Sequence, residues 1–185
     1  MPSVPQPFGT EETLASLDET TPIAGLERRE AERAIADWEE ERRHLGRELA
    51  LMTLNVSEMM GEKWSHRFII AVGPTVEYSS FLFYGAKFAA LMGLPDKPNH
   101  TIPMVQQLPA RYVPVFIKGC ISTTLRCEPV RMQGAVDCED GRQELYRAAF
   151  IPLDLKPDRL QRLAFGAFNC RLVNAGRERR QVSNR

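Results

Sequence analysis

The sequence lacks the cysteine and histidine spacings that build metal sites or redox pairs. Its four cysteines, Cys120, Cys127, Cys138 and Cys170, contain no CxxC pair, and no histidine stands near them at zinc-finger spacing. A thiol inside an apolar run behaves as a small hydrophobe, so these read as reduced structural residues of a reducing compartment. Charge of one sign is also missing: Lys+Arg and Asp+Glu are both 24. A nucleic-acid footprint needs clustered positive charge, so none is expected. No apolar run approaches the ~20 residues that span a bilayer. The first 25 residues lack the basic and apolar regions of a signal peptide, and a cytoplasmic protein with no membrane span is expected. No GxxxxGK[ST], GxGxxG or GxSxG stretch occurs, and the Cys and His residues show no recognisable pairing. The chain is therefore expected not to be an enzyme, with no catalytic residues and no metal.

What is present divides the 185 residues into four parts. Residues 1–25 are rich in Pro, Thr and Glu and read as a disordered tail. Residues 26–64 contain no proline and keep a seven-residue repeat. One set of positions is Ile35, Arg42, Leu49 and Val56; the other is Ala31, Trp38, Leu45, Met52 and Met59. All are apolar except Arg42. So strict a 3.5-residue period suits a two-helix seam better than a globular core. A helix of this length would be roughly 50 Å long, more than a small domain can cover. The segment is expected to form a coiled-coil helix and a homodimer interface of Ile35, Trp38, Arg42, Leu45, Leu49, Met52, Val56 and Met59. The alternative is a helix that folds back on its own domain.

From residue 65 the periodicity changes. RFIIAV (67–72) reads as a strand, with Gly73-Pro74 as its turn. Val76, Tyr78 and Ser80 suggest a second short strand. Residues 81–92 carry Phe81, Tyr84, Phe88, Leu91 and Met92 at helical spacing, and Gly93 is placed as the C-cap. Thr101 would cap a short helix through Gln107. Pro109 would open another that stops at Gly119. A β-meander follows: Val130, Met132, Val136 and Cys138 alternate, Asp140-Gly141 turns, 143–153 returns, and 161–173 forms the last strand. The basic residues 174–185 read as a flexible tail. Strands around a helical insert argue for an α+β fold with an antiparallel sheet.

This order, with FLFYGAKFAALMGLP before the insert, EPVRMQG…DGRQELYRAAFIPL as a central hairpin and FGAFNCRLV as a closing strand, resembles the PAS domain family over residues 65–173. The resemblance implies a five-stranded antiparallel sheet with short helices on one face, after a long N-terminal helix. It implies a sensing or interaction module that dimerises and acts through a signalling partner protein, tuned or not by a small ligand. The alternative is a localisation adaptor that binds protein alone. Residues 174–185 are too few for an effector domain, so output is expected to pass through the partner.

A ligand pocket between helices and sheet would draw on Tyr84, Phe88, Met104, Tyr112, Phe116, Phe150 and Phe168. Arg147 and Asn169 are the polar residues that would orient a ligand there. The same apolar residues would equally make an ordinary core. Asn169-Cys170-Arg171 resembles the flavin-site motif of LOV photosensors. Here it falls in the last strand rather than on a short helix, which argues against flavin. His100 is the one histidine placed near a haem position, and a lone histidine beside a loop argues against haem. No cofactor is expected.

Overall fold

The computed structural model describes residues 26–45, 61–138, 140–153 and 162–173, with backbone alone for 26–29, 41, 42, 44 and 45. Helix α1 is Leu26–Leu45. Strands β1 (Arg67–Val72) and β2 (Ser80–Tyr84) precede helices α2 (Ala86–Met92), α3 (Met104–Gln107) and α4 (Val113–Arg126). Strands β3 (Val130–Asp137), β4 (Gln143–Pro152) and β5 (Arg162–Val173) complete the order. The sheet runs β2-β1-β5-β4-β3, every neighbour antiparallel.

Successive strand residues face opposite sides, and here both sides are covered. Phe68 and Ile70 of β1, Ala148 and Phe150 of β4 and Ala164 and Phe168 of β5 face the helical insert. Ile69, Ala149, Ile151, Phe165 and Ala167 face α1. The two-sided apolar pattern of 143–153 has this cause.

Helix α1 lies on its own sheet. Ala31, Ala34, Ile35 and Trp38 are buried there, a stripe of ordinary helical spacing rather than an open seam. Trp38 Nε1 donates to the Pro152 carbonyl at 3.2 Å. Thus two expected dimer residues, Ile35 and Trp38, cover the domain instead. The backbone of Arg42 and Leu45 continues the helix, while Leu49, Met52, Val56 and Met59 lie outside the described residues, as do both expected tails.

Three element boundaries differ from the sequence expectation. Residues 76–78 form a 3-10 turn, and Ser80–Tyr84 is strand rather than helix. Aromatic residues favour strands, and FLFY pairs with β1, Phe81 opposite Ile70. Gly85 then donates to Arg67 O at 2.9 Å. A Cβ there would stand 2.0 Å from the Trp64 carbonyl, so only glycine fits the strand-to-helix corner. Helix α4 does not stop at Gly119 but continues to Arg126. Gly119 admits the Phe150 ring, which a Cβ would meet at 2.3 Å. Helix α3 starts at Met104, after Pro103, and Thr101 bonds Asn99 Oδ1 instead of capping it. Gly93 ends α2 in the left-handed conformation, as its position suggests.

Candidate functional site

The helices place the seven apolar pocket candidates in one buried cluster. Phe88, Met104, Tyr112, Phe116, Phe150 and Phe168 are fully enclosed, and Tyr84 is 4% exposed. They pack upon one another. Phe116 stands with ring centroids 5.4 Å from Phe150, 5.7 Å from Phe168 and 5.9 Å from Phe88. Phe68 and Phe81 join the same network. Offset and edge-on ring contacts of this kind add about 0.5–1.5 kcal/mol per pair beyond area burial.

Arg147 and Asn169 are not part of this cluster. They are cross-strand partners of β4 and β5, on the α1 side of the sheet. The reason is parity: 147 and 169 are odd positions between inward-facing Ala148, Phe150 and Phe168. Asn169 Oδ1 accepts its neighbour's N–H, from Cys170 at 2.9 Å.

The polar group that does face the helices is Glu144. Its Oε2 accepts from the Tyr112 hydroxyl at 2.6 Å and from Arg111 Nε at 2.8 Å. Arg111 also lies over the Tyr112 ring, 4.9 Å from its centroid. Tyr146 stacks on Phe168 at 6.0 Å and meets Tyr112 edge-on at 6.2 Å. Burial, then the hydrogen bond to Glu144, pushes the Tyr112 phenol well above its ordinary pKa. It remains a neutral donor. A buried carboxylate between a phenol and a guanidinium anchors the start of α4 to the sheet and orients all three groups. It supplies no nucleophile–base pair. The signal for Glu144 in the sequence was its even position in β4, in phase with Ala148 and Phe150.

No family model and no curated protein matches the chain. Solved structures do resemble it. One is a domain of an HTR-like protein from Haloarcula marismortui, 15% identical, with a TM-score of 0.40 over 60% of this chain and 100% of that one. Another is the PAS domain of a protein from Colwellia psychrerythraea, 9% identical, with a TM-score of 0.41 over 62% of this chain and 96% of that one. A third is a fungal LOV domain photoreceptor, 10% identical, with a TM-score of 0.35 over 72% and 90%. Five antiparallel strands with the helical insert after the second match the order that the sequence suggested.

The fold is α+β, one five-stranded antiparallel sheet with a helical insert after its second strand.

At these identities and TM-scores, what those proteins bind stays with them. Asn169-Cys170-Arg171 lies in β5, where Cys170 packs against the helix-side cluster while its two neighbours face the other side of the sheet. His100 Nδ1 stands 2.7 Å from the Phe81 carbonyl. His44 has only its backbone described. Burial pushes the Cys120 thiol up to about 12, so it stays a protonated core residue. Among the described residues no three His, Cys, Asp or Glu side chains gather to hold a metal ion. No described helix is long and apolar enough to cross a membrane.

An open cleft of about 560 Å³ lies outside the helix-side core, bounded by Trp38, Glu39, Arg43, Glu128, Pro129 and Arg131. Its charges alternate, and Arg131 is already bound to Glu32 at 3.1 Å. They do not converge on a single ligand charge.

Proposed function

We propose that this chain is a non-enzymatic signalling or regulatory module that works through protein contacts. It forms a homodimer by the second half of its N-terminal helical segment, from Arg42 through Leu45, Leu49, Met52, Val56 and Met59, and passes its output to a partner protein in the cytoplasm. One observation carries this reading: contacting aromatic rings occupy the space between helices and sheet. A packed core favours surface recognition over small-molecule sensing. It supports the adaptor form of the module, with no cofactor.

Native mass spectrometry of freshly purified protein tests it. The expected result is a dimer with the mass of two bare chains. A stoichiometric extra mass, or absorbance beyond the protein bands, overturns the ligand-free reading. Leu45→Asp with Leu49→Asp puts charge into the seam and should give a folded monomer at low micromolar concentration. A variant that stays dimeric there rules the seam out.

A further inference from the structure

The two edges of the sheet are treated differently. Strand β2 is five residues long, and the helical insert covers its margin. Met104 N donates to Ser79 O at 2.7 Å, and His100 stands on Phe81 O. Strand β3 is eight residues long and pairs only with β4 among the described residues. An unpaired edge of that length is a template for another strand unless something blunts it.

Which residues face the open edge follows from the hairpin. Cys138 donates its N–H to Arg142 O at 2.8 Å. Backbone groups alternate along an antiparallel strand. So Val136, Gly134 and Met132 direct theirs to β4, while Asp137, Ala135, Gln133 and Arg131 direct theirs outward. The same outward set is exposed on the α1 side of the sheet. Val130, Met132, Gly134 and Val136 are half-buried on the helix side.

We propose that the open edge of β3 pairs antiparallel with β3 of a second copy of this chain, about a two-fold axis at Gly134. In that register Arg131 faces Asp137 twice and Met132 faces Val136 twice. Gln133 faces Ala135, and Val130 faces Cys138. The outward backbone groups of Arg131, Gln133, Ala135 and Asp137 then complete a ladder. Registers two residues away place Arg131 opposite Ala135, or opposite Glu139, which lies past the end of β3, so the Gly134 register is the one that sets Arg131 against an acid within the strand. Opposite charges facing across strands stabilise a pair and like charges destabilise it. Glu32 occupies Nε and Nη2 of Arg131, and Gln143 binds Oδ1 of Asp137. Neither contact uses Arg131 Nη1 or Asp137 Oδ2. One short strand pair buries less than the roughly 1,200–2,000 Å² of a stable interface, so the contact forms at high local concentration. This goes beyond the proposed helix seam and uses none of its residues.

The test is a disulfide across the axis. Val130→Cys would stand opposite the second copy's Cys138 in a non-hydrogen-bonded pair, within bridging distance. Its own Cys138 lies eight residues along an extended strand, about 27 Å away, and is out of reach. Cys127→Ser removes the neighbouring thiol. Mild oxidation of the full chain should give a covalent dimer whose peptide map joins the introduced thiol to Cys138, and Cys138→Ser should abolish it. Absence of the dimer, or its persistence without Cys138, overturns the proposal. Asp137→Arg or Arg131→Glu, each added alone to this chain, should slow cross-linking about tenfold, two charge pairs having turned repulsive. Mixing the two variants should restore the rate; a mixture as slow as either alone overturns the register. The cross-link is read on the Leu45→Asp, Leu49→Asp chain as well, so that a failed helix seam and a failed edge pairing are told apart.

Discussion

At Gly119 two effects of one methyl group oppose each other. Alanine would raise helix propensity by about 1 kcal/mol. Its Cβ would also stand 2.3 Å from the Phe150 ring, which is fully buried between Phe68 and Phe116. Overpacking of a filled core costs about 1–3 kcal/mol, and the ring has no empty side to move to. Gly119→Ala should therefore lower stability in a urea titration, and a more stable variant would show that the ring shifts freely. His66 gives a second test at this scale. Burial lowers its pKa below the ordinary 6.5, against Glu30 and Glu62, which raise it, and with Lys87, which lowers it further. The folded state thus binds fewer protons than the unfolded one below that value. Its contribution to stability is present above pH 6.5 and is lost as pH falls toward the lowered folded pKa. The melting temperature should drop on acidification from pH 7, and His66→Gln should flatten that part of the profile. At this scale parity alone could have been read from the sequence. Arg147 and Asn169 share neither phase with Phe150 and Phe168, so a strict count along the strands would have excluded them from the pocket. It would also have pointed to Glu144. The Glu144–Tyr112–Arg111 contact was not legible, because it joins residues about thirty apart through a turn whose geometry only packing fixes.

Among the elements, α1 shows how a helix rich in charge holds to an apolar sheet. Arg67 is 2% exposed and its guanidinium donates to Asp37 Oδ2 at 2.6 Å, with Lys63 on the same oxygen at 3.2 Å. Arg67 also lies over the Trp64 and Phe165 rings, at 5.4 and 5.6 Å. Removing the carboxylate leaves a buried guanidinium with its nearest counter-charge gone. A fully buried pair broken this way costs about 3–5 kcal/mol, and Asp37 is partly exposed, so about 2 kcal/mol is the reasonable expectation. Asp37→Ala should loosen α1 first. Backbone amides of 30–40 should exchange faster with solvent while those of β1 and β5 stay protected. Uniform loss of protection would mean that the helix does not open separately. The heptad pattern of this helix does not by itself assign its partner. Ala31, Ile35 and Trp38 fit a 3.5-residue seam, and with Ala34 they fit a 3.6-residue face equally well over two turns. Only the apolar outer face of the sheet, itself hidden in the two-sided patterns of β4 and β5, decides between them. Strand β2 departs from the helical spacing of its sequence for a related reason. Phe81, Tyr84 and Phe88 are one face of a helix by spacing, but the corner at Gly85 separates them into two elements that bury the same side.

For the whole molecule, the sheet is a shared wall between two cores, and this determines where the domain ends. Taken as sequence, the chain divides into a helix of residues 26–64 and a domain of 65–173. In the structure Ala31, Ala34, Ile35 and Trp38 close a core whose other walls are Trp64, Ile69, Ile151, Leu153 and Phe165. A chain that begins at Gly61 keeps every strand and the complete helix-side cluster, yet it leaves that second face open. A contiguous apolar face of this kind drives association. Residues 61–173 should therefore fold to a β-rich state that binds a hydrophobic dye strongly and aggregates on concentration. Residues 26–173 carrying Leu45→Asp and Leu49→Asp should remain soluble with little dye bound, since those positions lie past Trp38, the last α1 residue buried on the sheet among the described residues. The comparison separates two jobs within one segment. If the shorter chain is as well behaved as the longer, α1 belongs to the dimer and only rests on the sheet. If it aggregates, the first half of the helix is a structural layer of the domain, and only the half beyond Arg42 is left to find a partner.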